Sequence, residues 1–484
     1  MSTVLSGSLR ALIGRVENAI DQGQINFSLR IIHDFVERIV TEPLCTSLVF
    51  ASRDLDKLCM QIGRRNLSCL GERQEEPWPR RTSRPRIAYV VSRLQRSGGH
   101  SRLVQDFIRA QPEKEHLILS TGIGGPSDED YLSKEFADDD SVRFMAAPHM
   151  DLQSRLTWLQ RMLVGSQPEH VYLLNHHQDS VAVAALVPQL GLIGSFLHHG
   201  DHHLCLGVHL EHLTHVDLHP MGYHYCRNEL GIDNRYLPLT FEDKQFVPLQ
   251  TEFVTGGHLT TATAARSNKV EIPYYVSYLD TIPRVLKATG GRHIHIGKLT
   301  PWALSRMRAQ MRKYRIPEDR LIYIEWTSSV WKSLQEHAVD VYIASFPYGA
   351  GLTLIEAMGA GVPVIMHQHM YSRVLSGLEL AYPDAFRWAD PELLLSHLAA
   401  LEPERLEREK LLSRQRYETC HRPEILSAYL CDPDSVELPI PPLTSEFKPR
   451  YDEWAAWAES QLSVSRLAHR FLYRTWRKLR SSVG

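Results

Sequence analysis

Apolar and polar positions change their period several times along this chain, and each change marks an element. Leu9, Leu12, Ile13, Val16 and Ile20 recur at three and four, as do Ile31, Ile32, Phe35, Ile39 and Val40. That spacing lays one apolar stripe along a helix, so residues 1 to about 70 are read as a helical block. From Glu72 to Pro85 the pattern stops, with Pro77, Pro79 and Pro85 set among arginines, as in a linker. Short continuous apolar runs follow: Arg86–Val91, His116–Ser120, Val142–Ala146, Val171–Asn175, Ile193–Leu197 and Val216–Leu218. Helical stretches separate them, for example Gln153–Val164 and Ser180–Leu190. Strands apolar on both faces, alternating with helices, predict a parallel sheet covered on both sides. A second series of the same kind begins near Thr261. Its strands are Thr261–Ala265, His293–Ile296, Leu321–Ile324 and Val339–Ser345; its helices are Val270–Ala288, Leu304–Tyr314 and Trp331–His337.

Composition narrows the class. The 484 residues are 43% apolar and 23% charged, with a net charge of -2, which suits a globular protein with two or three cores and predicts no bulk attraction to nucleic acid. Seven cysteines are scattered without a C-x-x-C pair; reduced thiols and a cytoplasmic location are expected. Met1–Arg10 has no secretory pattern, and the longest apolar region, Val181–Leu197, is broken by Pro188 and Gln189. The tail is different. Val464, Leu467, Phe471, Leu472, Trp476 and Leu479 fall along one side, and Arg466, Arg470, Arg474, Arg477, Lys478 and Arg480 supply charge. A basic amphipathic helix over 464–480 predicts peripheral contact with the inner face of an anionic membrane; a helix docked on the protein is the other reading.

The most informative segment runs from Phe346 to Ile365: Phe-Pro-Tyr-Gly-Ala-Gly-Leu-Thr-Leu-Ile-Glu-Ala-Met-Gly-Ala-Gly-Val-Pro-Val-Ile. A buried strand, a glycine loop and a helix start place backbone N–H groups and the positive end of a helix dipole at one spot, which suits a diphosphate. Glu356, inside that helix, would accept from ribose hydroxyls. The segment resembles the nucleotide-sugar site of GT-B glycosyltransferases, in particular the retaining family with a Glu-x7-Glu motif: Glu356 fits the second acid, and Tyr348 stands in place of the first. The resemblance covers roughly residues 86–400. It implies an α/β fold with two Rossmann-like domains facing across a cleft, here with an N-terminal helical extension and a C-terminal basic helix. The expected boundaries are 1–75 for the helical module, 76–85 for the linker, 86–250 for the acceptor side, 251–430 for the nucleotide-sugar side and 431–484 for the tail.

Candidate chemistry lies after strands, where ligands of open α/β sheets collect. Ser97-Gly98-Gly99-His100 follows the first strand. Gly98 and Gly99 would let the backbone approach a donor phosphate, and His100 would contact the acceptor or donor; a histidine near a helix start, with Ser101 as the cap, is the plainer reading. His198-His199-Gly200-Asp201-His202-His203 follows another strand. His199 and Asp201 are the candidates for polarising or deprotonating an acceptor. Zinc or iron held by His198, His199, His202 and His203, with His209, His212, His215 or His219, is a rival reading, as are histidines that merely orient the loop. The expected set carries no metal ligand. Lys269 and Lys298 are the candidate cations for the diphosphate, with Tyr348, Gly349, Gly351, Leu352, Thr353 and Glu356 completing the donor site. Glu325 and Trp326 close a strand where the resembling family places base contacts.

These expectations converge on a metal-independent glycosyltransferase. It would use a UDP- or GDP-linked sugar, with no bound cofactor, on a glycan, lipid-linked or protein acceptor. Bacterial surface polysaccharide synthesis is the expected setting, and the helical block is a candidate homodimer surface. The alternatives are an inverting protein glycosyltransferase of the same fold, a non-catalytic histidine-rich metal-binding protein, and a sugar-nucleotide epimerase, which would turn over without an acceptor.

Overall fold

A computed structural model describes residues 2–42, 45–70, 84–96, 99–128, 131, 134–136, 139–248, 251–349, 351–434, 436–445 and 447–461. Contacts divide the chain into two units. The first comprises Met1–Val247, Gly351–Gly361 and Leu411–Leu443; the second comprises Pro248–Ala350, Val362–Lys410 and Thr444–Gly484. The helix Leu352–Gly359, expected within the nucleotide-sugar domain, therefore groups with the first unit.

The first unit holds a seven-stranded sheet in the order β3-β2-β1-β4-β5-β6-β7. Its strands are β1 (Arg86–Val91), β2 (Glu115–Ser120), β3 (Val142–Ala146), β4 (His170–Leu174), β5 (Gly194–His198), β6 (Thr214–Asp217) and β7 (Asn234–Tyr236). Every neighbouring pair is parallel. β1 and β5 are buried along their whole length, which explains apolar runs without alternation. The expected helix Ser180–Leu190 is two pieces, a helix Ser180–Ala185 and a single 3-10 turn Pro188–Leu190. Pro188 has no N–H to continue the ladder and bars its predecessor from helical geometry. β7 is too short, at three residues, for any period to reveal it.

The N-terminal block forms the helices Ser2–Asp21, Ile25–Thr41 and Arg53–Ser68. Val16, Leu29, Ile32, Val36, Leu55 and Ile62 lie in one core with Ala88, Val90, Leu119, Leu156 and Leu159. The block is thus part of the first unit's core. Asn66 Nδ2 donates to Gln160 Oε1 at 2.9 Å, and Gln160 Nε2 to Gly63 O at 3.0 Å, pinning its third helix on the helix Leu152–Ser166.

The second unit holds a six-stranded parallel sheet in the order β10-β9-β8-β11-β12-β13. Its strands are β8 (Thr260–Ala264), β9 (Arg292–Ile296), β10 (Leu321–Ile324), β11 (Val341–Ile343), β12 (Val364–His367) and β13 (Phe386–Trp388). The winding repeats that of the first sheet: its first strand is interior, and the chain builds outward on one side before returning to the other. The stretch expected as one helix, Val270–Ala288, is a turn Ser267–Val270 and a helix Tyr278–Thr289, separated around Pro273. Among the described residues no helix is long and apolar enough to cross a membrane. The 464–480 stretch and nearly all of the 76–85 linker lie outside the described residues. All seven cysteines are free.

Candidate active site

In the first sheet β1 and β4 are neighbours although β2 and β3 come between them in the chain. Crossovers leave in opposite directions at such a switch point, opening a crevice beyond the strand ends. His100 opens the helix after β1, and His176 and His177 follow β4. The ring of His100 lies 4.6 Å from that of His176 and 4.3 Å from that of His199, which follows β5. Gly99 is where the backbone must come close: a Cβ there would sit 2.7 Å from His199 Cε1. The predicted Gly99, His100 and His199 are thus brought together; Gly98 lies outside the described residues.

These imidazoles are neutral. Burial, then the neighbouring His199, His176 and His177, hold the His100 pKa well below its ordinary value. Burial first, then His219, lowers His199 to about 3, and burial with Arg93 lowers His176 to about 4. Among the described residues His100 Nε2, His177 Nε2, His199 Nδ1 and His203 Nδ1 are buried without a hydrogen-bond partner. Buried polar atoms in native proteins are almost always paired, so these four nitrogens are the first unit's candidates for ligand contacts.

Asp201 turns away from this group. Its Oδ2 lies 2.7 Å from Nδ1 of His219, the residue before the helix Pro220–Asn228. Burial would raise the Asp201 pKa, but the nearby His219 and hydrogen bonds from His202 and His219 outweigh it and hold the carboxyl well below the carboxylate range. The far nitrogen of His219 faces the glycine loop: a Cβ placed on Gly351 would be 3.5 Å from His219 Nε2. Gly351 precedes the helix Leu352–Gly359, whose leading amides have no intrahelical acceptor. Leu352 and Thr353 are half-buried in its first turn, and Glu356 is buried one turn on. His219, His176 and His177 were not among the predicted catalytic residues. His176 and His177 carried a usable signal, since they too directly follow a strand. The pairing of His219 with Asp201 had none, being a contact across 18 residues.

In the second unit the switch point lies between β8 and β11. Lys269, after β8, donates from Nζ to Gly349 O at 3.3 Å, and Tyr348 N donates to Lys269 O at 3.3 Å. Burial pushes the Lys269 ammonium down to about 8, with no carboxylate paired to it among the described residues. The Gly349 amide, expected among the phosphate donors, is already used: it donates to Leu375 O at 2.9 Å. That correction moves the available amides to the helix start beyond Gly351. Lys298 is exposed and pairs with Glu325 at 2.8 Å. An exposed ion pair is a surface feature, so Lys298 stands apart from the group.

The N-terminal block holds the histidine loop. Ser47 N and Oγ both donate to His202 O, at 3.1 and 3.0 Å, and Cys205 N donates to Phe50 O at 3.0 Å. Asp56 accepts from the amides of Gly207 and His209 at 2.7 and 2.9 Å. Burial, only partly offset by those two bonds, raises the Asp56 pKa to about 7.

No family model matches the chain, and no curated relative does either. Solved structures do. A glycosyltransferase from Rickettsia africae ESF-5 is 12% identical over 72% of this chain and 98% of its own, with a TM-score of 0.55. Anabaena HepE, solved in complex with UDP and glucose, is 11% identical over 72% of this chain and 99% of its own, with a TM-score of 0.53. A mutant of Thermobaculum terrenum O-GlcNAc transferase is 15% identical over 87% of this chain and 82% of its own, with a TM-score of 0.50. At these identities the likeness is one of fold. The two doubly wound sheets are those of the GT-B fold.

Proposed function

We propose that this protein is a glycosyltransferase that moves a sugar from a UDP- or GDP-linked donor to an acceptor hydroxyl. The observation that carries the reading is the Asp201–His219 pair, its outer nitrogen directed at the start of the Leu352–Gly359 helix. Asp201 accepts from His219 Nδ1–H, which leaves Nε2 as the basic nitrogen. As the acceptor oxygen bonds to the anomeric carbon, Nε2 takes its proton and the bond from that carbon to the diphosphate breaks. The departing charge falls to helix amides beyond Gly351. Glu356 binds the ribose, and neutral His100 and His199 hydrogen-bond the acceptor or the sugar. These protein groups supply the positive charge for a transfer without a metal at the reacting bond.

A glycan or lipid-linked acceptor, in surface polysaccharide synthesis, is the favoured substrate class. The likeness to HepE, solved with UDP and glucose, supports the nucleotide-sugar donor of this reading. The second reading is an inverting protein glycosyltransferase. A base placed at the acceptor favours direct displacement, and the O-GlcNAc transferase covers more of this chain, 87%, than the other two. The cytoplasm, with or without membrane contact through 464–480, is the proposed location.

Melting the protein against a panel of UDP- and GDP-sugars tests the reading. A ligand at a hundred times its dissociation constant stabilises the native state by about 2.7 kcal/mol, and Glu356→Ala should remove the shift. A panel with no shift at all would sink the proposal; a shift untouched by Glu356→Ala would displace the donor from this helix.

A further inference from the structure

Beneath the Asp201–His219 pair lies a second constellation that the transfer does not use. His198 ends β5, His215 and Asp217 lie on β6, and Cys226 projects from the helix Pro220–Asn228. All four are essentially inaccessible, at 2, 4, 0 and 1% exposure. One potential ligand atom from each lies within 4.8 Å of all the others. His198 Nδ1 is 2.9 Å from Asp217 Oδ1, and Cys226 Sγ is 3.5 Å from both. His215 Nε2 is 3.2 Å from Asp217 Oδ2.

The decisive atom is on His215. Its Nδ1 lies 3.2 Å from Val208 O. A carbonyl only accepts, so Nδ1 carries the hydrogen. The neutral ring then points its Nε2 lone pair at a carboxylate oxygen, and Nε2 has no hydrogen-bond donor among the described residues. Two buried acceptors face each other, which is unfavourable unless a positive charge lies between them. That charge is either a proton on His215 or a cation shared with the neighbouring thiol and imidazole.

We propose that His198, His215, Asp217 and Cys226 bind one zinc-class divalent ion, with the thiol deprotonated, as a closed structural site. Imidazole, carboxylate and thiolate suit zinc. Bonds of about 2.0–2.3 Å in a tetrahedron give ligand edges of roughly 3.3–3.7 Å, and the four separations above lie within about half an ångström of that range. Outer partners are in place: Val208 O orients His215, and Asn234 Nδ2 donates to Asp217 Oδ2 at 2.6 Å while holding Tyr223 O. The ligand set differs from the one weighed from sequence: of the loop histidines it keeps only His198, and of the further candidates only His215, with Asp217 and Cys226 added.

The site has a clear mechanical consequence. Its ligands fix the strand end before His199 and Asp201 and the helix that begins after His219. A Cβ on Gly222 would lie 3.0 Å from Asp201 Oδ2 and 3.1 Å from Asp217 Oδ1, so the helix backbone passes against both carboxylates. The ion positions the catalytic pair without touching substrate, and it stands whether or not the transfer proposal does.

Elemental analysis of the full chain, expressed with added zinc and purified without chelator, should give about one zinc per chain. Exchange for Co(II) should produce a thiolate-to-cobalt charge-transfer band with tetrahedral d–d intensity, and chelation should lower the melting temperature of the wild-type protein. Cys226→Ser should abolish the charge-transfer band, whereas Cys205→Ser should retain it. If Cys226→Ser does not fold, the wild-type cobalt spectrum decides alone. Metal at trace level with no cobalt band overturns the proposal. So does a band that survives Cys226→Ser, or bound metal whose cobalt form shows no sulfur ligation.

Discussion

Histidines are dense in both units, but their surroundings differ. In the second unit His293 has Thr261 Oγ1 at 2.9 Å on one nitrogen and Tyr278 OH at 3.1 Å on the other. His295 Nδ1 lies 2.7 Å from the same Tyr278 hydroxyl, and His367 Nε2 lies 3.1 Å from Tyr274 OH. Each of these rings holds at least one hydroxyl inside the sheet layer, although His295 Nε2 and His367 Nδ1 have no further partner among the described residues. In the first unit His100, His176 and His199 stand ring against ring beyond the strand ends, and His100 Nε2 and His199 Nδ1 are buried with no partner among the described residues. A buried polar atom left without a partner costs about 1–3 kcal/mol, a penalty that folding alone does not reward. Unpartnered nitrogens occur in both units, so neither residue type nor a single lone nitrogen separates a site from a scaffold; the gathering of several rings beyond the strand ends, without a hydroxyl to hold them among the described residues, does.

The comparison can be broken by substitution. His219→Ala should have the largest effect, lowering turnover by roughly a hundredfold to ten-thousandfold; the melting temperature should also fall, because buried Asp201 loses a partner, while the nucleotide-induced shift stays near wild type. Transfer rates measured beside melting curves check it; wild-type turnover would remove His219 from the chemistry. Tyr278→Phe should act on stability alone. Loss of one hydroxyl shared by His293 and His295 should destabilise the protein by about 1–3 kcal/mol, read by denaturant titration, with turnover per folded molecule unchanged.

Two effects of pH sharpen the picture. Burial lowers His293 and His367 to about 3, against about 6.5 in an unfolded chain. Below 6.5 the unfolded chain binds protons that the native rings refuse, so stability must fall with pH. At pH 5 the loss approaches about 2 kcal/mol per ring, visible as a falling melting temperature between pH 7 and 5; a flat profile would mean these rings accept protons in place. The smallest effect concerns Lys269. With its pKa near 8, the ammonium is present below that pH and is lost above it. Nucleotide affinity should hold from pH 7 to 8 and then weaken by up to about tenfold per pH unit, as calorimetry would show. Lys269→Arg should flatten the profile, because a guanidinium stays charged.

The strands were the most legible part of the chain. Arg86–Val91, an interior strand buried on both faces, stands out as an unbroken apolar run and ends where expected, as does the half-buried edge strand Leu321–Ile324. Helices were legible until proline intervened, at Pro188 and Pro273. The glycine loop was legible as a motif, but Gly349 was assigned to phosphate when its amide serves Leu375. Lys298 and Lys269 looked equivalent, both lysines following strands. Only their surroundings distinguish an exposed partner of Glu325 from a buried ammonium.

Local order along the chain determined the repeated strand–helix alternation, the glycine loop with its helix, and the two histidine-bearing loops after β1 and β5, because hydrophobic period and turn chemistry act over a few residues. Tertiary structure alone decided which of these meet. Placing β4 beside β1 brings His176 to His100, across 76 positions; the turn of the loop after β5 brings Asp201 to His219; the parallel register of β5 and β6 sets His198 opposite Asp217. Such meetings follow from the order of strands in a sheet, and that order is set by the packing of whole layers.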